Sequence, residues 1–392
     1  MPISAKKIYL DYAATTPTDP EVLKTMLPYF SKIYGNPESL HSIGLEAKQA
    51  ADTARNTIAE YLNCNTSEIV FTGSGTESNN LAIIGTARAN KAKGDHLITS
   101  KIEHPSVLNT FKYLEKEGFK VTYLNIDKEG FIDLKQLENS ITKKTILVSI
   151  MFANNEIGTI EPIEETAKIC HKNNIIFHTD ACQVVEYLKL DIKKLNIDLL
   201  TINGSKIYGP KGTGLLFIRK GTKIEPIFKG GNQEHGIRAG THNIPGIVGL
   251  AKAFEIAQKN CEKESERSSK LRDYFIENIL KKIPDTILNG PICHSRENGN
   301  LRLPNNINIS IPKIEGKDLL LQLDHHNICV STGSACNSGK NDTSHVLSAI
   351  GQTPELAKSS IRISLGKYTT KEELDYVLEI FPKIVEKLKN NK

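Results

Sequence analysis

Lys206 occupies a position where a lysine amine can act as a nucleophile. It follows the apolar stretch 197–200 and precedes the turn-forming Gly-Pro-Lys-Gly run 209–212. At the end of a buried strand an amine is partly desolvated, which depresses its pKa and frees it to attack a carbonyl. The pattern therefore indicates a Schiff-base lysine. Taken alone, it fits a surface lysine before a glycine turn equally well.

The segment 72–80 has the composition of an anion-binding turn. Glycines close a strand and hydroxyl residues open a helix, with Gly75 and Thr76 at the junction. Backbone N–H groups at a helix N-terminus and nearby hydroxyls donate hydrogen bonds to anions, so a phosphate group fits here. The segment is not a Walker or dinucleotide fingerprint, and a plain capped turn stays open as an alternative.

Two further strand ends carry polar side chains with catalytic potential. Asp180 ends the stretch 175–180, where a carboxylate can pair with a protonated heterocyclic nitrogen and keep it cationic. His104 precedes a helix whose first turn holds Pro105, and its imidazole can stack on a flat ring and transfer protons. A turn-capping aspartate and an uninvolved histidine are the simpler interpretations of each residue alone.

A thiol and a guanidinium complete the set. Cys336 lies in the run 330–340 of small residues, which predicts an exposed loop and makes it the best nucleophile candidate among the cysteines. Cys329 sits in an apolar strand pattern and is interpreted as core. Arg362 alternates with apolar neighbours in a short strand, where it can bind a carboxylate bidentately, although a solvent-facing position is the simpler interpretation.

The composition is that of an ordinary globular protein. The 392 residues are 39% hydrophobic and 24% charged, which favours a sizeable core and two domains. A net charge of +5 without a long run of like charges does not indicate nucleic-acid binding. Seven scattered cysteines without a C-x-x-C pair argue against a disulfide framework or a zinc site. With neither an apolar signal region nor a membrane-length apolar window, the sequence predicts a cytoplasmic protein.

Seven β-rich runs alternate with amphipathic stretches between residues 45 and 260. The predicted strands are 68–72, 96–99, 121–124, 145–152, 175–178, 198–201 and 214–218. Helical patterns between them, such as 44–62, 76–92 and 105–118, predict an α/β fold with a mostly parallel sheet and active residues at strand ends. Two polar helices, 244–260 and 262–282, are predicted next, followed by a smaller α+β domain over 261–392.

Together these motifs resemble the NifS/IscS-type cysteine desulfurases, which are pyridoxal-phosphate enzymes of the class-V aminotransferase family and of the aspartate-aminotransferase fold type. The resemblance covers nearly the whole chain, in order. It is carried by YLDYAATTP (9–17), GNP (35–37), NNEIG (154–158), HTD (178–180), KIYGPKG (206–212), RAGT (238–241), STGSAC (331–336) and SIR (360–362). It implies an N-terminal arm over 1–15, a large cofactor-binding domain over 16–260 and a small domain over 261–392.

The resemblance also implies roles around a pyridoxal 5'-phosphate cofactor. Lys206 would bond covalently to the cofactor, Asp180 would pair with its ring nitrogen, and His104 would stack on the ring and transfer protons. Asn155 and Gln183 would approach the ring oxygen.

The phosphate group would be held by Gly75 and Thr76, together with Thr241 from the partner subunit of a homodimer. Members of the family usually carry a serine and a histidine where this chain has Asn203 and Ser205. Both replacements still donate hydrogen bonds, so a phosphate contact survives, whereas the imidazole contribution is lost.

For the substrate, the resemblance implies that Arg362 and Asn155 bind the carboxylate of L-cysteine. The Cys336 thiolate would attack the substrate sulfur, so that L-alanine leaves and a persulfide stays on Cys336 for an iron-sulfur scaffold, for tRNA thiolation or for another sulfur acceptor. A selenocysteine lyase, a related pyridoxal-phosphate enzyme and a non-catalytic sulfur-relay homologue are the alternatives. Cys182, unusual beside Asp180, is interpreted as a packing residue.

Overall fold

A mostly parallel β-sheet occupies the chain between residues 69 and 218. The computed structural model describes residues 7–292, 301–333 and 343–390. Its strands are β1 (Ile8–Tyr9), β2 (Ile69–Thr72), β3 (His96–Ser100), β4 (Lys120–Leu124), β5 (Thr145–Ser149), β6 (Ile176–Asp180), β7 (Leu199–Asn203), β8 (Gly214–Ile218), β9 (Ile287–Leu288), β10 (Asn306–Ser310), β11 (Ile328–Cys329) and β12 (Ser360–Ser364). Each of the seven predicted strand runs overlaps one of β2 to β8, although the run predicted to reach residue 152 ends at Ser149.

The order of strands in the large sheet is β2-β8-β7-β6-β5-β3-β4. Strands β4, β3, β5, β6 and β7 run parallel, while β8 is antiparallel to both β2 and β7. The predicted α/β class with a mostly parallel seven-stranded sheet is therefore confirmed. Because the carboxyl ends of β3, β5, β6 and β7 meet at one edge, the residues that follow them gather in one place.

The helices are α1 (Pro20–Met26), α2 (Pro28–Ser31), α3 (Ser42–Leu62), α4 (Gly75–Asn90), α5 (Pro105–Lys116), α6 (Leu134–Ser140), α7 (Ile163–Lys172), α8 (Ile192–Leu195), α9 (Ile244–Lys282), α10 (Gly316–His325), α11 (His345–Ala349), α12 (Pro354–Lys358) and α13 (Lys371–Asn390). The prediction of two separate helices over 244–260 and 262–282 is wrong, since α9 is continuous over 39 residues. The sequence from residue 250 to 282 holds neither glycine nor proline, so nothing interrupts its backbone hydrogen bonding.

A second, three-stranded antiparallel sheet has the order β12-β10-β9. Its apolar face shares a core with α9, α10 and α13, and Ile8 and Leu10 of the N-terminal segment belong to the same core. β1 also pairs in parallel with β11. The division into an arm over 1–15 and domains over 16–260 and 261–392 stays a prediction, and its second boundary falls inside α9.

None of the helices within residues 7–292, 301–333 and 343–390 is both long and apolar enough to cross a membrane.

Candidate active site

A cavity of about 230 Å³ lies at the carboxyl ends of the parallel strands. Strands β3, β5, β6 and β7 each deliver a polar residue to it from the turn that follows, and α4 contributes its first residues. The predicted site residues that line it are Gly75, Thr76, His104, Asn155, Asp180, Gln183, Asn203, Lys206 and Arg362. Residues taken from positions 75 to 362 of the sequence thus converge on one small space.

Two other predicted site residues lie outside this cavity. Ser205 and Thr241 are not among the described residues that line this cavity. The Oγ of Ser205 donates a hydrogen bond to Asn203 Oδ1 at 3.0 Å, while Thr241 is exposed and lines a different cavity of about 250 Å³. Cys336 lies outside the described residues.

Lys206 ends a single 3-10 turn, Gly204–Lys206, that directly follows β7. The turn needs glycine at position 204, because a Cβ there would come within 2.3 Å of Thr213 Oγ1. Nζ of Lys206 donates to the carbonyl oxygens of Ala13 at 2.6 Å and Ala14 at 2.5 Å. The N-terminal segment therefore contacts the amine directly.

Asp180 is the last residue of β6 and is almost fully buried. Its carboxylate accepts hydrogen bonds from Asn79 Nδ2 at 2.7 Å and from the backbone N–H of Cys182 at 3.0 Å. These two hydrogen bonds hold the carboxylate of Asp180 in place at the cavity wall.

Cys182 is a neutral thiol in this environment. Burial and the neighbouring Asp180 raise the pKa of Cys182 well above its usual value, which disfavours the thiolate that nucleophilic attack requires. Its Sγ fills the space next to Gly75, where an added Cβ would approach it to 2.8 Å. This contact explains why α4 starts with glycine and agrees with the interpretation of Cys182 as packing.

His104 is the N-cap of α5. Its Nδ1 accepts a hydrogen bond from the backbone N–H of Ser106 at 3.1 Å, so in the neutral ring the proton is carried by Nε2. Burial lowers the pKa of His104, partly opposed by the nearby charge of Asp180. The imidazole is thus neutral near pH 7 and available to take up a proton.

Arg362 lies in the middle of β12 and is only 4% exposed. The solvent-facing position considered from the sequence is therefore wrong. Nη2 pairs with Asp11 Oδ1 at 2.8 Å, and Nη1 donates to the backbone oxygen of Asn155 at 3.1 Å. Nε is buried without a hydrogen-bond partner among the described residues. A buried donor of this kind favours an incoming acceptor such as a carboxylate.

Comparison with known proteins places the chain in a family. The family model described as aminotransferase class-V matches residues 8–377. The chain belongs to the class-V aminotransferases. This confirms the family resemblance found in the sequence motifs.

Individual relatives of this class-V aminotransferase are similar over almost their full length. Proteins named cysteine desulfurase IscS from Clostridium botulinum and Dictyoglomus turgidum are each 52% identical to it; the first match covers 97% of this chain and 94% of the relative, and the second covers 98% and 96%. A solved structure titled NifS-like protein superposes with a TM-score of 0.91 at 38% identity, covering 98% of this chain and all of the other. The predicted fold type is thereby confirmed.

Some residues of the class-V aminotransferase site were missed by sequence reasoning. Asn79 holds Asp180 from the second turn of α4, and Asp11 pairs with Arg362 from the N-terminal segment. Asn79 had a usable signal, since it lies four residues after Gly75 and therefore on the same helix face. Asp11 lies in the motif 9–17, but no sequence pattern indicated its pairing with Arg362, because 351 residues separate the two.

Proposed function

We propose that this protein is a pyridoxal-phosphate-dependent cysteine desulfurase, which removes sulfur from L-cysteine and leaves L-alanine and a persulfide on Cys336. The convergence of Lys206, Asp180 and Arg362 on one cavity carries the proposal. An amine, a buried carboxylate and a buried guanidinium match the three groups that a cofactor aldehyde, a ring nitrogen and an amino-acid carboxylate require. The names of the relatives at 52% identity support the same activity.

The residues present fit pyridoxal 5'-phosphate. Gly75 has no side chain at the start of α4, where a Cβ would collide with Cys182. The backbone N–H groups at this helix N-terminus are therefore accessible, as a phosphate group requires. Thr76 and Asn203 add polar groups on the same wall. When bound, the cofactor supplies an electrophilic carbon and a protonated ring that accepts an electron pair.

Within this proposal the polar residues of the cavity divide the tasks of binding the cofactor and transferring protons. Lys206 holds the cofactor covalently, and Asp180 keeps a proton on the ring nitrogen through its fixed negative charge. Asn155 and Gln183 orient the ring through its oxygen. His104, neutral at the start, takes up and returns protons at Nε2.

Phosphate binding is completed by Ser205 and by Thr241 of a second copy of the chain, and the protein acts as a homodimer. An apolar surface supports dimerisation, because several large apolar side chains are exposed over a short stretch of α1 to α3: Leu23, Leu27, Phe30, Tyr34, Leu40, Ile43 and Leu45. The sulfur acceptor we propose is an iron-sulfur scaffold or another cytoplasmic acceptor protein.

Substitution of Cys336 by alanine tests the proposed activity. We expect the rate of alanine release from L-cysteine under reducing conditions to fall at least about 100-fold, because the variant lacks the nucleophile that accepts the sulfur. Cofactor binding should be unchanged. Cys329→Ala is the matched control, since burial and Asp324 raise the pKa of Cys329 and keep that thiol protonated.

Three outcomes would contradict the proposal. Full activity of Cys336→Ala on L-cysteine would exclude a persulfide on Cys336. Turnover of L-selenocysteine by the same variant that is faster than its turnover of L-cysteine would favour a selenocysteine lyase. Absence of turnover by the wild-type protein on either substrate, despite bound cofactor, would favour a non-catalytic sulfur-relay homologue.

Substitution of Ser205 by histidine tests the phosphate end of the site. We expect tighter cofactor binding by about 1 kcal/mol, the contribution of one added hydrogen bond. The measurement is a cofactor titration of the apo protein followed by the visible absorbance of the bound form. Equal or looser binding would show that the histidine found in relatives does not strengthen cofactor binding here.

A further inference from the structure

Arg362 is paired with an acidic side chain of the protein itself. Its Nη2 forms an ion pair with Asp11 Oδ1 at 2.8 Å, and the side chains of Arg362 and Asp11 are 5% and 19% exposed. The Nε edge of the guanidinium is buried and has no partner within the described part of the chain. A carboxylate that binds at Nε therefore shares the guanidinium with Asp11.

The backbone of Asp11 is attached to β12. Asp11 forms an isolated parallel bridge with Ser364, two residues beyond Arg362 on β12, and its carbonyl oxygen accepts a hydrogen bond from Tyr9 Oη at 3.0 Å. The backbone N–H of Ser364 donates to Leu10 O at 2.8 Å. These contacts hold the backbone of Asp11 beside β12, within reach of the guanidinium.

Glu156 is a second acidic side chain whose charge acts on Arg362, and its contacts differ from those of Asp11. Its Oε2 accepts a hydrogen bond from Ser344 Oγ at 2.5 Å, and burial raises the pKa of Glu156 to about 7. No described hydrogen bond joins the side chain of Glu156 to Arg362, whose amino groups bond to Asp11 and to the backbone oxygen of Asn155. Asp11 is thus the direct counter-charge.

We infer that Asp11 is a positioning residue that orients Arg362 and at the same time weakens its hold on the substrate carboxylate. This inference rests on the proposed function, in which Arg362 binds the carboxylate of L-cysteine. A carboxylate that approaches Nε of Arg362 is attracted by the guanidinium and repelled by Asp11.

The consequence concerns substrate and product alike. L-Cysteine and L-alanine carry the same carboxylate, so a site that binds this group too tightly would retain the product. Weaker binding of the carboxylate raises the KM for L-cysteine and leaves the interactions at the reacting sulfur unchanged. Asp11 therefore favours release of L-alanine.

The test compares the binding of L-alanine and of L-alaninamide, which lacks the carboxylate, to the cofactor-loaded protein by isothermal titration calorimetry. We expect Asp11→Asn to bind L-alanine on the order of fivefold to tenfold more tightly than wild type, because a like charge is removed while an acceptor for Arg362 is kept. L-Alaninamide should bind no more tightly. Asp52→Asn, which removes an exposed acid on α3, controls for the change in net charge.

Asp11→Glu keeps the charge and should bind L-alanine with wild-type affinity, which separates the charge effect from misfolding. If Asp11→Asn binds L-alanine as wild type does or less tightly, Asp11 serves orientation alone and the inference is overturned. Failure of wild type to bind L-alanine would overturn it as well. A different result is possible: Asp11→Asn binds L-alanine more tightly than wild type, but the wild-type protein does not turn over L-cysteine. That result would contradict the proposed function and support the role of Asp11.

Discussion

Replacement of Lys206 by alanine is expected to reduce the release of L-alanine from L-cysteine by more than about 1000-fold, the size of effect typical for a residue that acts covalently. Nζ of Lys206 is held at the carbonyl oxygens of Ala13 and Ala14, in the cavity that contains Asp180. Alanine can neither bond to the cofactor nor carry a proton. The measurement is the initial rate of alanine release with saturating pyridoxal phosphate and a reductant.

Borohydride reduction followed by mass spectrometry gives a second measurement that does not depend on turnover. It should attach the cofactor to wild type and to the control Lys220→Ala, an exposed lysine just after β8, but not to Lys206→Ala. Attachment to Lys206→Ala at the wild-type level would place the reactive amine on another lysine. A rate within tenfold of wild type would exclude Lys206 from the chemistry.

The large sheet and its polar edge could be predicted from the sequence because local signals agree with the final structure. Apolar runs predict β2 to β8, and polar residues directly follow four of the parallel strands. The order of the strands could not be predicted, since pairing depends on contacts between distant segments. Helix α9 shows the same limit. The sequence predicts two helices over 244–260 and 262–282, but α9 is continuous and buries Phe254 in the core of the large sheet and Phe275 in the core of the second sheet.

Arg362 shows why the remaining part of the site required the structure. In sequence it is a charged residue between two isoleucines, a pattern typical of a strand with one exposed face. In the structure both faces of β12 are buried, and the charge is stabilised by Asp11 and by the backbone of Asn155. A buried charge of this kind is stable only with such partners, and these come from sequence positions far from Arg362.

Replacement of Asp180 by asparagine is the second change for which we expect a large effect. Asparagine is almost isosteric and keeps one oxygen, which can accept one of the two hydrogen bonds that Asp180 accepts, from Asn79 at Oδ2 or from the backbone of Cys182 at Oδ1. It cannot keep a ring nitrogen protonated, because the negative charge is lost. We expect kcat for L-cysteine to fall by about 100- to 1000-fold, within the range found for groups that control proton position, as measured by alanine release.

The same substitution should change the titration of His104 in the cofactor-free protein. Burial lowers the pKa of His104, whereas the charge of Asp180 raises it. Removal of that charge should lower the pKa further, so the imidazole of Asp180→Asn should take up its proton at a lower pH than in wild type, as NMR titration of its ring protons can show. An unchanged or higher pKa would contradict electrostatic coupling across the cavity. A wild-type kcat would show that Asp180 serves the structure of the cavity and not its chemistry.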